Sequence, residues 1–481
     1  MAQSAMCPGM AHVGVGAGRW MAIVAVGLMV FSIFAAPRAD AATSVIPCPK
    51  SSSSTLGTSS VAGVLPRPLN PCPGAEWSAT LGTTDWEMSV SVDTATNGGY
   101  VWLVANGSYD TLTRFDAQGS MLWQKMYNCG GGSGRLSTIR ETADGGFAFA
   151  TSTNGCAVFG GTDAIVYKLD ALGEITWQRA YGTPGTDEAR ALVPTSDGGF
   201  FLAGLTPDAG GSGDAWVVRL DSAGSILWQK AIGGGEYETL WTGSVSADGG
   251  FVVGGNQLVA KLDAAGNVLW KKNYDGATAI YSIRSLPDGT HIAAGLVGRQ
   301  TNKAFAMKLD ANGAIVWQRS YGAAYGGHGS SITETADGGY LLTWTAIVGK
   351  GASANLDIQA AKLDGNGNVQ WARTYGGPGR DWACQGECAR ELGDGFLLIV
   401  GATYSFGAGD QDAWLLSLAP DGTVSPTCPA GIGKTAPLSP SNTKFTTSSS
   451  ALGERISQAF YGSTSATATP NNLALIMQCT S

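Results

Sequence analysis

The sequence predicts an all-β protein, a closed ring of seven four-stranded antiparallel sheets, on three observations. A Trp recurs seven times, at Trp77, Trp123, Trp177, Trp228, Trp270, Trp317 and Trp371. A glycine turn recurs with it, at Gly98-Gly99, Asp144-Gly145, Asp197-Gly198, Asp248-Gly249, Asp288-Gly289, Asp337-Gly338 and Asp394-Gly395. These turns lie 40 to 57 residues apart, an interval that marks a repeat architecture. The third observation is that no stretch of a unit carries helical spacing, while short β-branched and aromatic runs alternate with Gly, Asp and Ser.

The unit from Thr186 to Gly233 shows the elements in order. Strands a to d are predicted at Ala189–Thr195, Phe200–Leu205, Ala215–Leu220 and Ile226–Ile232. The a–b turn, Asp197-Gly198-Gly199, suits a tight hairpin, because both central residues of Asp-Gly take or tolerate positive φ. In the c–d turn, Asp221 can hold the turn amides and Gly224 supplies the left-handed residue. Four antiparallel strands repeated about an axis make a seven-bladed β-propeller. A lone blade has two apolar faces and needs neighbours. Each Trp can bury on the order of 200 Å², holding the outer strands against adjacent blades.

The chain ends say how the ring shuts. The last unit has a strand c (Ala413–Leu418) and the turn Pro420-Asp421-Gly422, then Pro426 where Trp is due. At the other end, Trp77 to Gly82 matches Trp177 to Gly182. The N-terminal strand is therefore expected as strand d of the last blade, hiding edges that would invite foreign pairing. The expected organisation is a signal peptide at 1–41, a Ser/Pro-rich extension at 42–75, the propeller at 76–426, and a Ser/Thr-rich C-terminal extension at 427–481, both extensions being partly ordered arms.

Arg19, an apolar run from Trp20 to Ala36 and Ala39-Asp40-Ala41 read as a secretory signal, with a membrane anchor as the alternative. The expected location is secreted, periplasmic or cell-surface. Net charge is −8, and removing 1–41 leaves 27 basic and 36 acidic residues. Such a chain lacks the basic surface that nucleic acid needs, and no Lys/Arg block suggests lipid docking. A monomer is expected, binding a protein, peptide or glycan. Eight Cys remain after the leader, and an even number in an exported chain favours disulfides. Cys129 with Cys156 and Cys384 with Cys388 are the expected pairs. Cys48, Cys72, Cys428 and Cys479 stay open among three connectivities.

No zinc motif, serine elbow or phosphate loop is present. His291 falls in a strand b and is expected to be packed, and His328 lies in a connection. The a–b and c–d turns repeat closely, so that face is uniform; the b–c loops vary, from Asn256–Leu258 in blade 4 to Thr345–Ile358 in blade 6. Variable loops on a rigid scaffold are a usual place for binding. Side chains expected there include Tyr109, Phe159, Arg299, Lys350, Tyr404, Phe406, Asp410 and Asp412. The d–a connections bring Asp85, Asp187, Glu236 and Asp381 to the start of the innermost strands, with Trp86, Tyr237 and Trp382 beside them. These predict an acidic, aromatic-rimmed channel mouth that takes a sugar, a peptide or a hard cation such as Ca²⁺. The competing reading is that the acids cap turn amides. No other cofactor is expected.

The string Asp-Ala-Trp-Val-Val-Arg-Leu-Asp-x-x-Gly-x-Ile-x-Trp at 214–228 returns at 163–177, 304–317 and 412–424. It resembles the repeats of secreted bacterial seven-bladed propellers. That resemblance implies an exported, usually non-catalytic protein, and it is fold-level only. The Asp-x-x-Gly-x-x-x-Trp corner is also similar to the docking repeats of quinoprotein dehydrogenases, which implies eight blades, pyrroloquinoline quinone and an adjacent Cys pair that this chain lacks. A propeller glycosidase or sialidase would need paired carboxylates or an Arg cluster.

Overall fold

A computed structural model describes residues 76–424, apart from 83–85, 107–108, 129–137, 156–158, 208–212, 234–236, 299–301, 326–329, 350–353, 385–386 and 408–409, together with seven strand segments between 434 and 480. Seven four-stranded antiparallel blades form the propeller, and no helix occurs among the described residues. In blade 3 the strands are Glu188–Pro194, Phe200–Thr206, Asp214–Leu220 and Ile226–Gly233, close to the expected bounds. The ring closes as expected. Trp77–Gly82 pairs antiparallel with Asp412–Leu418, Trp77 opposite Ser417 and Leu81 opposite Ala413. The Trp414 indole nitrogen donates to Ser78 Oγ at 2.7 Å across that seam.

The core lies between blades. One cluster joins Ala148, Val166 and Tyr181 of blade 2 to Leu192, Phe200, Leu202 and Trp216 of blade 3, all fully buried. Strands b and c are buried on both faces because both face another blade. In blades 2 to 5 the first half of strand d is only partly buried, whereas Trp77–Gly82, strand d of blade 7, is buried throughout.

The repeating Trp clasps the next blade. The indole N–H of Trp123, Trp177, Trp228, Trp270, Trp317 and Trp371 donates to a c–d turn carbonyl one blade on, at 2.9–3.2 Å. Four residues later a Tyr hydroxyl (Tyr127, Tyr181, Tyr274, Tyr321, Tyr375) donates to the carbonyl of the same turn's glycine, at 2.6–2.9 Å. Gly224 has φ +78°, and a Cβ there would lie 2.9 Å from the Trp177 ring.

Two expectations need correction. The a–b turn does not put both Asp197 and Gly198 at positive φ: Gly198 N–H donates to the Thr195 carbonyl and Thr195 N–H to that of Gly199, so a three-residue loop ends in a left-handed glycine. Only the glycine takes positive φ; Asp197 does not. Its carboxylate is spent otherwise, accepting from Thr195 Oγ1 and from Arg219 of strand c. Asp144–Lys168, Asp248–Lys261 and Asp337–Lys362 repeat that ion pair at 2.7 Å. Second, Thr345–Ile358 is not all loop. Its ends pair, from Thr345 with Ile358 to Val348 with Asn355, because Ala346 and Leu356 find buried places.

Candidate functional site

Strand a of each blade lines the central channel, running from the uneven face toward the a–b turns. The acids expected at the channel mouth are held by their own turns. Asp187 is fully buried; it accepts from Thr183 N–H (2.7 Å), Thr183 Oγ1 (2.8 Å) and Thr206 Oγ1 (2.6 Å). Asp381, also fully buried, accepts from Gly377 N–H (2.8 Å) and Ser405 Oγ (2.7 Å). Burial raises both carboxyls above the ordinary range, and these hydrogen bonds oppose it. Asp85 and Glu236 lie outside the described residues, as do His328, Arg299 and Lys350. No group of three metal-ligating side chains occurs among the described residues.

The aromatic neighbours are the accessible part. Trp86 is 46% exposed, Tyr237 52% and Tyr404 46%. Trp382 stands edge-on to Tyr404, with ring centres 5.6 Å apart. Phe406 is half-buried, 5.4 Å from Trp414, and Asp412 is buried beneath Gly82. Phe159 and Tyr109 are half-buried, and Asp410 is exposed. Sequence reasoning missed two further aromatics on inner strands. Trp241 donates to Asn256 Oδ1 at 2.9 Å and meets Tyr281 at 5.4 Å, while the Arg190 guanidinium lies 4.2 Å over the Trp241 ring.

Deeper in, five residues before each a–b turn glycine, the inner strands place Asp93, Arg140, Val193, Ser244, Arg284, Thr333 and Arg390 at one level. Glu387 reaches them from a five-residue loop closed by the Cys384–Cys388 disulfide, the one expected pair that falls within the described residues. Of the other cysteines only Cys479 lies there, in a strand opposite Ser78. Glu387 bonds Arg140 of blade 2, Arg284 of blade 5 (2.6 Å) and Arg390 of its own blade. Arg390 also bonds Asp93 of blade 1 at 2.8 Å. One carboxylate thus ties blades from opposite sides of the ring and crosses the channel. Burial opposes its ionisation, but three guanidinium groups prevail and hold it well below the usual carboxylate range. Burial lowers Arg284 to about 10. Aligning the repeats on their turn glycines would have exposed Arg140, Arg284 and Arg390 in register.

His291 is packed as expected, with Ser285 Oγ 3.0 Å from Nδ1, and burial lowers its pKa to about 4. No helix among the described residues is long and apolar enough to cross a membrane.

No protein family's sequence profile matches this chain. No curated protein matches it in sequence. Solved structures resemble it at low identity. The WD40 domain of Neurospora crassa Pan2 is 11% identical with a TM-score of 0.40, covering 70% of this chain and 97% of that one. Polysaccharide lyase Uly1 is 10% identical with a TM-score of 0.40, over 69% and 90%. A glucose dehydrogenase is 11% identical with a TM-score of 0.35, over 71% and 99%.

Proposed function

We propose that this protein is an exported, non-catalytic binding module that takes a glycan or an extended peptide on its uneven face. The observation that carries the reading is the set of accessible aromatic rings there: Trp86, Tyr237 and Tyr404, with Trp382 braced against Tyr404. Flat apolar rings with polar tips suit sugar faces and peptide side chains, and they lose little entropy on binding. The leader from Arg19 to Ala41 and the Cys384–Cys388 disulfide support export into an oxidising compartment. Asp187 has both carboxylate oxygens, and buried Asp381 one of its two, in hydrogen bonds within their own blades, which favours a structural role over a cation site or a catalytic acid.

Titration with neutral and acidic oligosaccharides and with unstructured peptides, read by Trp fluorescence and melting temperature, tests this. One class should give saturable binding that Trp86→Ala or Tyr404→Ala weakens about tenfold, near 1.4 kcal/mol. Binding unmoved by either substitution overturns the reading. Glycan cleavage abolished by Asp381→Asn would point to an enzyme. A Ca²⁺-dependent rise in melting temperature that Asp187→Asn/Asp381→Asn removes would restore the cation site.

A further inference from the structure

The C-terminal extension supplies seven short strands, and each lies antiparallel on the outer strand of a different blade. Lys434–Thr435 pairs with blade 6, Ser441–Asn442 with blade 5, Thr446–Ser449 with blade 4 and Gly453–Arg455 with blade 3. Phe460–Ser463, Thr467–Pro470 and Ala474–Thr480 follow on blades 2, 1 and 7. The tail leaves blade 7 after its strand c and returns to blade 7, having passed every other blade against the order of the ring.

The register repeats. Two residues after the clasping Trp, Arg373, Arg319 and Lys272 face Thr435, Asn442 and Ser449, each seven residues further on. Four residues after it, Tyr274, Ile232, Tyr181, Tyr127 and Leu81 face Thr447, Glu454, Tyr461, Ala468 and Leu475, again seven apart. Seven extended residues reach at most about 25 Å, which must cover both the paired segment and the step to the next blade. The tail therefore has almost no slack, and each segment can meet one blade only. Its sequence keeps the same interval: Leu438, Phe445, Leu452, Ala459, Ala466 and Leu473 recur every seven residues, at positions outside the described ones.

Without the tail, each blade would present the unpaired backbone of strand d, a template for another chain. With it, the outermost strands are two to seven residues long, and one ends at Pro470, features that blunt an edge. We propose that residues 434–480 are an intramolecular belt that occupies all seven blade edges and so keeps a second copy of this chain from pairing there. The belt acts through the backbone and is independent of any ligand on the uneven face.

Paired cysteines in the full chain test it. Asn273 faces Ser448 and Lys272 faces Ser449. Opposed residues of antiparallel strands lie about 4.5–5.5 Å apart, within disulfide reach, and adjacent pairs alternate in type, so one pair has the closer spacing. Asn273→Cys/Ser448→Cys or Lys272→Cys/Ser449→Cys should form a disulfide within one chain, found by peptide mapping of the monomer. A covalent dimer through these residues would show that the edge takes the tail of a second copy, and absence of any cross-link would remove the belt; either overturns the proposal. A chain ended at residue 430 should melt lower and associate with rising concentration. An unchanged melting temperature and a monomer at all concentrations would also overturn it.

Discussion

Glu387 shows how much one side chain can hold in a ring of repeats. Its carboxylate satisfies guanidinium groups from three blades, and the disulfide-closed loop that carries it interrupts the innermost strand of blade 7. Glu387→Gln removes the carboxylate shared by Arg140, Arg284 and Arg390 and leaves, among the described residues, the Arg390–Asp93 ion pair. Breaking one side of a buried ion network costs about 3–5 kcal/mol, which chemical denaturation at neutral pH should measure. The acid limb should change too. Because the folded pKa of Glu387 is depressed, its contribution is complete above the unfolded value of about 4.3 and is lost as pH falls through the folded one. The wild type should therefore lose more stability than Glu387→Gln below about pH 4.3.

Among the elements, the two recurrent turns use glycine for different reasons, and substitution separates them. Gly249, in an a–b turn, has φ +76° with nothing within 4 Å of an added Cβ. Gly224, in a c–d turn, has φ +78° and would push a Cβ into the Trp177 ring and the Arg179 stem. Gly249→Ala should cost only the left-handed strain, about 1–2 kcal/mol. Gly224→Ala should cost clearly more, since the indole must also move off the turn it clasps, and the Trp177 emission should shift with it. Equal losses would mean that the Trp–turn clasp is not tightly packed.

For the whole molecule, stability hangs on joining chain ends that are far apart in sequence. The strand Trp77–Gly82 sits between Asp412–Leu418 on one side and Ala474–Thr480 on the other, so three distant segments share one sheet. Trp77 is buried at that seam and stacks on Tyr100 of the first blade. Trp77→Ala should remove about 3–5 kcal/mol. Amide exchange should show the loss first in Trp77–Gly82 and Asp412–Leu418, because the seam opens before the other blade interfaces. Protection that falls evenly around the ring would count against the seam as the weakest point.

The chain's own order of residues determined the number of blades, the four strands in each, the clasping Trp and the partner of the N-terminal strand. Those features are written locally, as apolar runs and turn residues within tens of positions, and they recur. The pull of Asp187 and Asp381 into their own turns could be read only as one of two alternatives, since a capping acid and a ligand-binding acid look the same until burial is known. Tertiary structure alone decided that Arg140, Arg284 and Arg390 meet on Glu387, because only the curl of the ring brings blades 2, 5 and 7 to one point. It also decided where the tail goes. Backbone hydrogen bonds to a strand edge ask little of side-chain type, so a Ser- and Thr-rich segment shows its destination only when seven edges, spaced one heptad of extended chain apart, are present to receive it.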